Sequence, residues 1–320
     1  MLKLGVVGVG YLGRFHAEKL AAIPGIELVG IADIKQDRAD AVASKFGVKA
    51  FYDHRDMLGQ VDAVSVVVPT EAHFQVASTF LAAGVHVMLE KPITKTLEEA
   101  DSLIALTEEN GTILQVGHLE RFNPAMLAAS PFTGEPLFIE ATRINFFPDR
   151  GTDVDVVLDL MIHDIDITLS LVGAMPNLVQ AIGVPVVTGR VDIANARLEF
   201  ENGCVANLTA SRISNKSLRK IRIFQKDAYL SIDYGERQVK VVRREKSESS
   251  ARPETIAEEL EVGPGDSLES ELKAFAHAIT TESKPLVSGE DGRRALVVAT
   301  QIMAEIEART NKWPELLTET

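Results

Sequence analysis

Six residues near the start of the chain have the spacing of a phosphate cradle: Gly8-Val9-Gly10-Tyr11-Leu12-Gly13. They follow an apolar run, Leu4 to Val7, and open a helical pattern. The first glycine permits a tight turn. The second lets the backbone approach a pyrophosphate, and the third lets helix pack close on strand. Free N–H groups at the helix start then favour negative charge. Asp33 stands twenty residues after Gly13, at the end of the next apolar run. A carboxylate there can accept hydrogen bonds from ribose hydroxyls. The plainer alternative is a glycine turn and a surface aspartate, but the context on both sides favours a dinucleotide. The same carboxylate repels a 2′-phosphate, and Ile34 and Lys35 offer no arginine fork. NAD is therefore expected over NADP.

A cradle of this kind needs a parallel sheet beneath it. Strands are expected at Leu4–Val7, Glu27–Asp33, Ala63–Val68, Val85–Leu89 and Ile113–Val116. Helices are expected at Tyr11–Ile23, Arg38–Phe46, Ala72–Ala83 and Leu97–Asn110, with glycine stops at Gly47, Gly84 and Gly111. Such alternation means an α/β domain whose sheet is covered on both faces. The character changes after Pro124. A helix is expected from Val154 to Val172, closed by Gly173. Ala194–Phe200 and Cys204–Ser211 flank Glu201-Asn202-Gly203, a strong hairpin signal. Ile221–Gln225, Ala228–Ile232 and Gln238–Val242 extend a largely antiparallel sheet. The polar, turn-rich stretch Lys246–Gly265 reads as a mobile excursion. Two helices follow, Leu268–Thr281 and Gly289–Arg309.

The bulk numbers bound the partners. The 320 residues are 46% hydrophobic and 25% charged, ordinary for a globular chain of two domains. With 46 acidic against 33 basic residues, the net charge is −13. That balance argues against nucleic acid and anionic membranes, which need excess positive charge. Cys204 is the one cysteine, so no internal disulfide forms. No apolar run is long enough to span a membrane, and a cytoplasmic protein is expected.

Further stretches carry chemistry-bearing residues in order along the chain. Val68-Pro69-Thr70 with His73 closes the third strand, and Glu90-Lys91-Pro92 closes the fourth. Asp159-Leu160-Met161-Ile162-His163-Asp164-Ile165-Asp166 lies on the helix of the second domain. With the glycine fingerprint, these stretches resemble the Gfo/Idh/MocA oxidoreductases over nearly the whole chain. The resemblance implies a Rossmann domain over residues 1–122 and an α+β domain with an open, mostly antiparallel sheet over 123–320. It implies NAD-dependent oxidation of a sugar or cyclitol hydroxyl, and a homodimer or homotetramer formed through that sheet. It places the dinucleotide on the cradle, Asp33, Pro69, Thr70, His73, Glu90 and Lys91. Carried over by motif, the catalytic group is Lys91, Asp159 and His163.

Elementary chemistry supports that group. Lys91 sits at the carboxyl end of a parallel strand, where such sheets bind ligands. Asp159 and His163 are four apart, about 40° offset on a helix, and share one face. An imidazole suits a general base and a lysine ammonium stabilises developing alkoxide charge. A carboxylate orients substrate or histidine. Base and electrostatic partner are interchangeable between His163 and Lys91. Each residue has a plainer reading: a solvated lysine before a turn, a core histidine, a helix-packing His73. Asp164 points off the His163 face and no histidine cluster accompanies it, so no metal is expected. Asp166 reads as structural.

The hinge run Gly117-His118-Leu119-Glu120-Arg121-Phe122-Asn123-Pro124 bears on substrate. Inositol dehydrogenases often place a basic residue where this chain has Glu120, which counts against inositol. That run and Asp159–Asp166 are most similar to UDP-N-acetylglucosamine 3-dehydrogenases. The resemblance implies a sugar-nucleotide substrate, with His118, Glu120, Arg121, Asn123, Arg143 and Arg150 as its candidate contacts. The arginines would meet the diphosphate; for Arg143 and Arg150, surface salt bridges are an equal alternative. The competing functions are a dehydrogenase of a free sugar or cyclitol, and a non-catalytic NAD-binding regulator.

Overall fold

The computed structural model describes residues 1–147, 154–245 and 254–310. Arg150 lies outside them. The first compact unit comprises Met1–Phe122 and Gly265–Arg293, the second Asn123–Pro264 and Arg294–Thr320.

In the first unit, β1 (Leu2–Val7), α1 (Gly13–Ala22), β2 (Ile26–Ala32), α2 (Gln36–Phe46) and β3 (Lys49–Phe51) lead on. They are followed by β4 (Ala63–Val66), α3 (Thr70–Leu81), β5 (His86–Glu90), α4 (Leu97–Asn110) and β6 (Leu114–Gly117). All strand pairs are parallel, in the order β3-β2-β1-β4-β5-β6. β4 is buried along its whole length, as expected of a strand covered on both faces, with Ser65 as its one polar side chain. α1 buries Gly13, His16, Ala17 and Leu20, the three-and-four spacing of one helical face. Thr96 and Glu99 close a capping box at the start of α4. The strand order reverses direction between β1 and β4, the place where open α/β sheets bind ligands.

The second unit opens with α5 (Pro124–Ala129) and β7 (Pro136–Ile144), followed by a π turn (Val157–Met161) and α6 (Ile162–Val172). Then come β8 (Leu178–Val184), β9 (Ile193–Glu199), β10 (Val205–Ser211), β11 (Leu218–Gln225), β12 (Ala228–Asp233), β13 (Gln238–Glu245) and β14 (Glu254–Leu260). The eight strands run β14-β13-β12-β11-β7-β10-β9-β8, antiparallel except for the β7–β10 pair. β7 alternates cleanly: Ile139, Ala141 and Arg143 are buried on one face, Phe138, Glu140 and Thr142 half-buried on the other.

Part of the expected excursion is a strand. Residues 254–260 form β14 at the sheet edge, where Lys240 pairs with Glu259 and Arg243 bonds Glu258. The acidic strand is matched by a basic neighbour, a charge pairing that also blunts the edge. Two helices end the described chain, α7 (Ser267–Thr281) and α8 (Gly289–Thr310). α7 belongs to the first unit, not to a second domain running unbroken from residue 123. Its Leu272 and Phe275 join Leu4, Leu20 and Met88 in one core cluster. Full burial of two such side chains contributes about 1.5–3 kcal/mol each.

Candidate active site

The glycine cradle is built by close contacts that only glycine allows. Gly8 has φ +85, and a Cβ there would lie 2.6 Å from the Val67 carbonyl oxygen. A Cβ on Gly13 would lie 1.9 Å from the Gly8 oxygen. Gly10 is different: the nearest atom to a Cβ would be Arg38 Nη1, at 3.6 Å. That open side fits a pyrophosphate against bare backbone. Tyr11 and Leu12 are exposed beside it. Asp33, just past β2, is 7% exposed. Its Oδ2 accepts from Val9 N–H at 2.9 Å and its Oδ1 from Lys35 N–H at 2.9 Å. Arg38 Nη1 lies 3.4 Å from Oδ2. Ile34 and Lys35 hold no arginine, as read from the sequence, but an arginine further on does attend Asp33. Arg38 reaches back from within α2, which a look at the next two residues does not detect.

Pro69 is exposed and precedes α3, whose first residue Thr70 is half-buried. His73 is 1% exposed. Its Nδ1 meets the Pro92 carbonyl at 2.9 Å and its Nε2 the Val68 carbonyl at 3.0 Å. Burial lowers its pKa against the pull of those carbonyls. The ring lies between carbonyls of the loop after β4 and the loop after β5, and in its neutral form it donates to one of the two. Glu90 ends β5 and Lys91 follows, half-buried, with a cis peptide to Pro92. Glu90 Oε1 lies 3.1 Å from His16 Nε2, and His16 Nδ1 lies 2.8 Å from Ser65 Oγ. Burial opposes the Glu90 charge, but His16, Lys91 and His73 outweigh it and hold its carboxyl below the usual range. Sequence reading missed His16, although a polar residue on the buried face of α1, three past Gly13, was a visible signal.

The hinge residues are largely engaged by the fold. His118 and Glu120 are buried, and Glu120 and Arg121 lie on a 3-10 turn, Leu119–Phe122. Arg121 Nη2 is 3.8 Å from Asp291 Oδ1. In the second unit Asn123 caps α5, accepting from Ala125 N–H at 3.0 Å.

Asp159 and His163, both half-buried, stand on the π turn and the first turn of α6. The expected regular helix is therefore widened between them, a distortion frequent at functional sites. Asp164, next to His163, is buried and bidentate with Arg143: Nε to Oδ2 at 3.0 Å and Nη2 to Oδ1 at 2.9 Å. Arg143 stands on the core face of β7 and is 4% exposed. Its expected place beside a substrate diphosphate is corrected: the guanidinium is matched to the protein's own carboxylate and fixes α6 on β7. Upstream, Asp155 Oδ1 accepts from Val191 N–H at 3.0 Å. The neighbouring Asp192 accepts from three backbone N–H groups and from Arg212 Nε at 2.9 Å. Among the described residues no group of three or more metal-binding side chains is assembled, and no helix is long and apolar enough to cross a membrane.

Known proteins agree with this architecture. The oxidoreductase family with an NAD-binding Rossmann fold matches residues 2–118, and its C-terminal alpha/beta domain matches 149–314. UDP-N-acetylglucosamine 3-dehydrogenase of Acidithiobacillus ferrooxidans is 41% identical over 309 residues, 96% of this chain and 98% of that protein. Its solved structure matches with a TM-score of 0.90 at 40% identity, covering 96% of this chain and 98% of that one. Myo-inositol 2-dehydrogenase of Thermotoga maritima is 28% identical, over 96% of this chain and 97% of that protein. Levoglucosan dehydrogenase with NADH and levoglucosan shares the fold, at 20% identity and a TM-score of 0.86, covering 96% of this chain and 97% of that one. With both family domains matched in order and the dinucleotide cradle built as the motif demands, the chain belongs to the Gfo/Idh/MocA family of NAD-binding oxidoreductases.

Proposed function

We propose that this protein is an NAD-dependent dehydrogenase that oxidises the 3-hydroxyl of UDP-N-acetylglucosamine to the 3-keto sugar nucleotide. The observation that carries this reading is 41% identity, across 96% of the chain, to a dehydrogenase of that specificity. The cradle supports the cofactor: glycines where a Cβ would clash, open space over Gly10, and a carboxylate at the end of β2. The cradle and Asp33 would hold NAD, which would supply an acceptor for the hydride on the alcohol carbon. His163 takes the hydroxyl proton as general base. The Lys91 ammonium stabilises negative charge developing on the same oxygen. Asp159 orients the substrate hydroxyls. Arg121 meets the diphosphate, while Arg143 acts at a remove by holding α6 through Asp164. We also assign a homodimer or homotetramer to the outer face of the larger sheet, where Phe138, Phe224 and Tyr229 form a half-buried aromatic row.

The test is NADH formation by absorbance, with a carbonyl trap, across UDP-N-acetylglucosamine, UDP-glucose, free N-acetylglucosamine and myo-inositol. Turnover confined to UDP-N-acetylglucosamine is expected. Turnover on inositol or a free sugar alone overturns the substrate. NAD binding without turnover on any of them favours a regulator. Replacing Lys91 by Ala is expected to abolish turnover while NAD affinity, read by fluorescence, stays within about twofold. Replacing His163 by Asn should cut kcat by ~10²–10⁴-fold.

A further inference from the structure

The two candidate residues of the second unit are not spaced by a regular helix. Asp159 N–H bonds the Asp155 carbonyl, four residues back, at 3.0 Å. Ile162 N–H instead reaches the Val157 carbonyl, five residues back. The backbone thus widens over the turn that carries Asp159, just before His163, so the placement of one side chain against the other has to be fixed from outside. On the His163 side the anchor is the Arg143–Asp164 pair, which pins α6 to β7. On the Asp159 side it is Asp155. Its Oδ1 accepts from Val191 N–H at 3.0 Å, and the Val191 carbonyl accepts from Val156 N–H at 3.1 Å. These two bonds clasp the start of the π turn to the loop between β8 and β9.

That loop is itself tightly held. Asp192 Oδ2 accepts from the Val186, Val187 and Thr188 N–H groups at 2.7–2.9 Å. Its Oδ1 accepts from the Thr188 hydroxyl at 2.8 Å and from Arg212 Nε at 2.9 Å. Arg212 also donates through Nη1 to the Val154 carbonyl, beside Asp155. Val191 packs over Gly183, where a Cβ would lie 2.6 Å from Val191 Cγ1. Yet Val186 and Val187 at the loop tip are 56% and 61% exposed. The bonds at Asp192 bury no apolar tip. They fix the backbone next to Val191, and Val191 fixes Asp155.

We propose that Asp155 is a positioning residue for the reaction: its carboxylate, clasped to Val191, sets where Asp159 stands relative to His163. The proposal rests on the assignment of Asp159 and His163 to catalysis. It requires an acceptor of the right reach at residue 155, not a charge there. Reacting geometry is sensitive to such supports, since a shift of about 1 Å made far from the chemistry can cost about 10²-fold in rate.

The experiment compares the full-length wild type with three variants. Asp155→Asn keeps an acceptor oxygen at the same reach, Asp155→Ala removes it, and Asp155→Glu carries it one methylene too far. Asp155→Ala should lower kcat/KM for the sugar nucleotide by about 10–10²-fold while NAD affinity stays within about twofold. Asp155→Glu should fall in the same direction, and Asp155→Asn should stay within about threefold of the wild type. Hydrogen–deuterium exchange should quicken in the Ala variant over residues 156–163 and match the wild type in the Asn variant. Unchanged kcat/KM in Asp155→Ala overturns the proposal. So does an Asn variant that falls as far as Ala, or an Ala variant whose NAD affinity drops with its activity and whose exchange rises across the whole chain. If Asp155→Ala does not fold, Asp155→Glu decides, and full activity there overturns the proposal. A wild type that turns over no substrate of the panel sinks the functional reading and the positioning role with it. An active wild type with an unaffected Ala variant sinks the positioning role alone.

Discussion

Asp33 is tied to Val9 and Lys35 N–H groups, so its carboxylate is aimed before any ribose arrives. Arg38 sits beside it, with its Nη1 also nearest to Gly10. The two side chains oppose each other in cofactor choice: the carboxylate repels a 2′-phosphate and the guanidinium attracts one. Removing the carboxylate releases the arginine. Asp33→Ala should therefore weaken NAD and raise the NADP-to-NAD ratio of kcat/KM by about tenfold or more. The double variant Asp33→Ala, Arg38→Ala should give back most of that gain. Unchanged preference in the single variant would remove Asp33 from ribose recognition. At this scale the sequence was legible where a residue type has one use. The glycines and Asp33 were readable from spacing. Arg143 was not, because an arginine on the core face of a strand breaks the period-two pattern, and its partner lies 21 residues away on α6. Glu271, fully buried on α7, was not readable at all: a glutamate within a helical run looks like a solvated one until the packing around it is seen.

The elements that carry the second unit's candidate residues are braced by buried ion pairs. Asp192 and Arg212 are 0% and 1% exposed at their side chains. Burial opposes the Asp192 charge, but the Thr188 and Val187 N–H groups, the Thr188 hydroxyl and Arg212 prevail, holding the carboxyl far below the usual range. The depressed pKa means that its contribution is complete above the ordinary carboxylate pKa and is lost as pH falls through the folded-state value. Asp192→Ala, which leaves Arg212 buried with its carboxylate gone, should cost about 3–5 kcal/mol at neutral pH. The gap from wild type should narrow at pH values below about 4. Thermal melts across pH check both statements, and an equal gap at every pH would contradict the second. A gentler test lies at the end of α7, where Glu282 has φ +52. Glu282→Gly removes a left-handed strain of about 1 kcal/mol and should raise Tm by a few degrees. Boundaries of long periodic helices such as α4 were readable from sequence; the π turn was not, since nothing in residue type marks where a helix widens.

At the scale of the molecule, the alternation of strand and helix made the parallel sheet readable, and the Asn202-Gly203 hairpin made the antiparallel one readable. What sequence order concealed is that the first unit is discontinuous. Its dinucleotide-binding strands end by residue 117, yet α7, which supplies Leu272, Phe275 and Glu271 to it, begins at Ser267. A fragment of residues 1–122 should thus expose the apolar ground of α7. It should melt well below the intact chain or aggregate, as calorimetry and light scattering would show. The same discontinuity sets an order of events during synthesis. As a nascent chain leaves the ribosome, the whole larger sheet emerges before the helix that seals the first unit. The nucleotide-binding half therefore waits, partly open, through the translation of about 150 residues, and at 5–20 residues per second that is roughly seven to thirty seconds. A cradle already made by Gly8 and Gly13 can meet its nucleotide during that interval, so cellular NAD would act as a folding aid for the unfinished chain as well as a cofactor of the finished one.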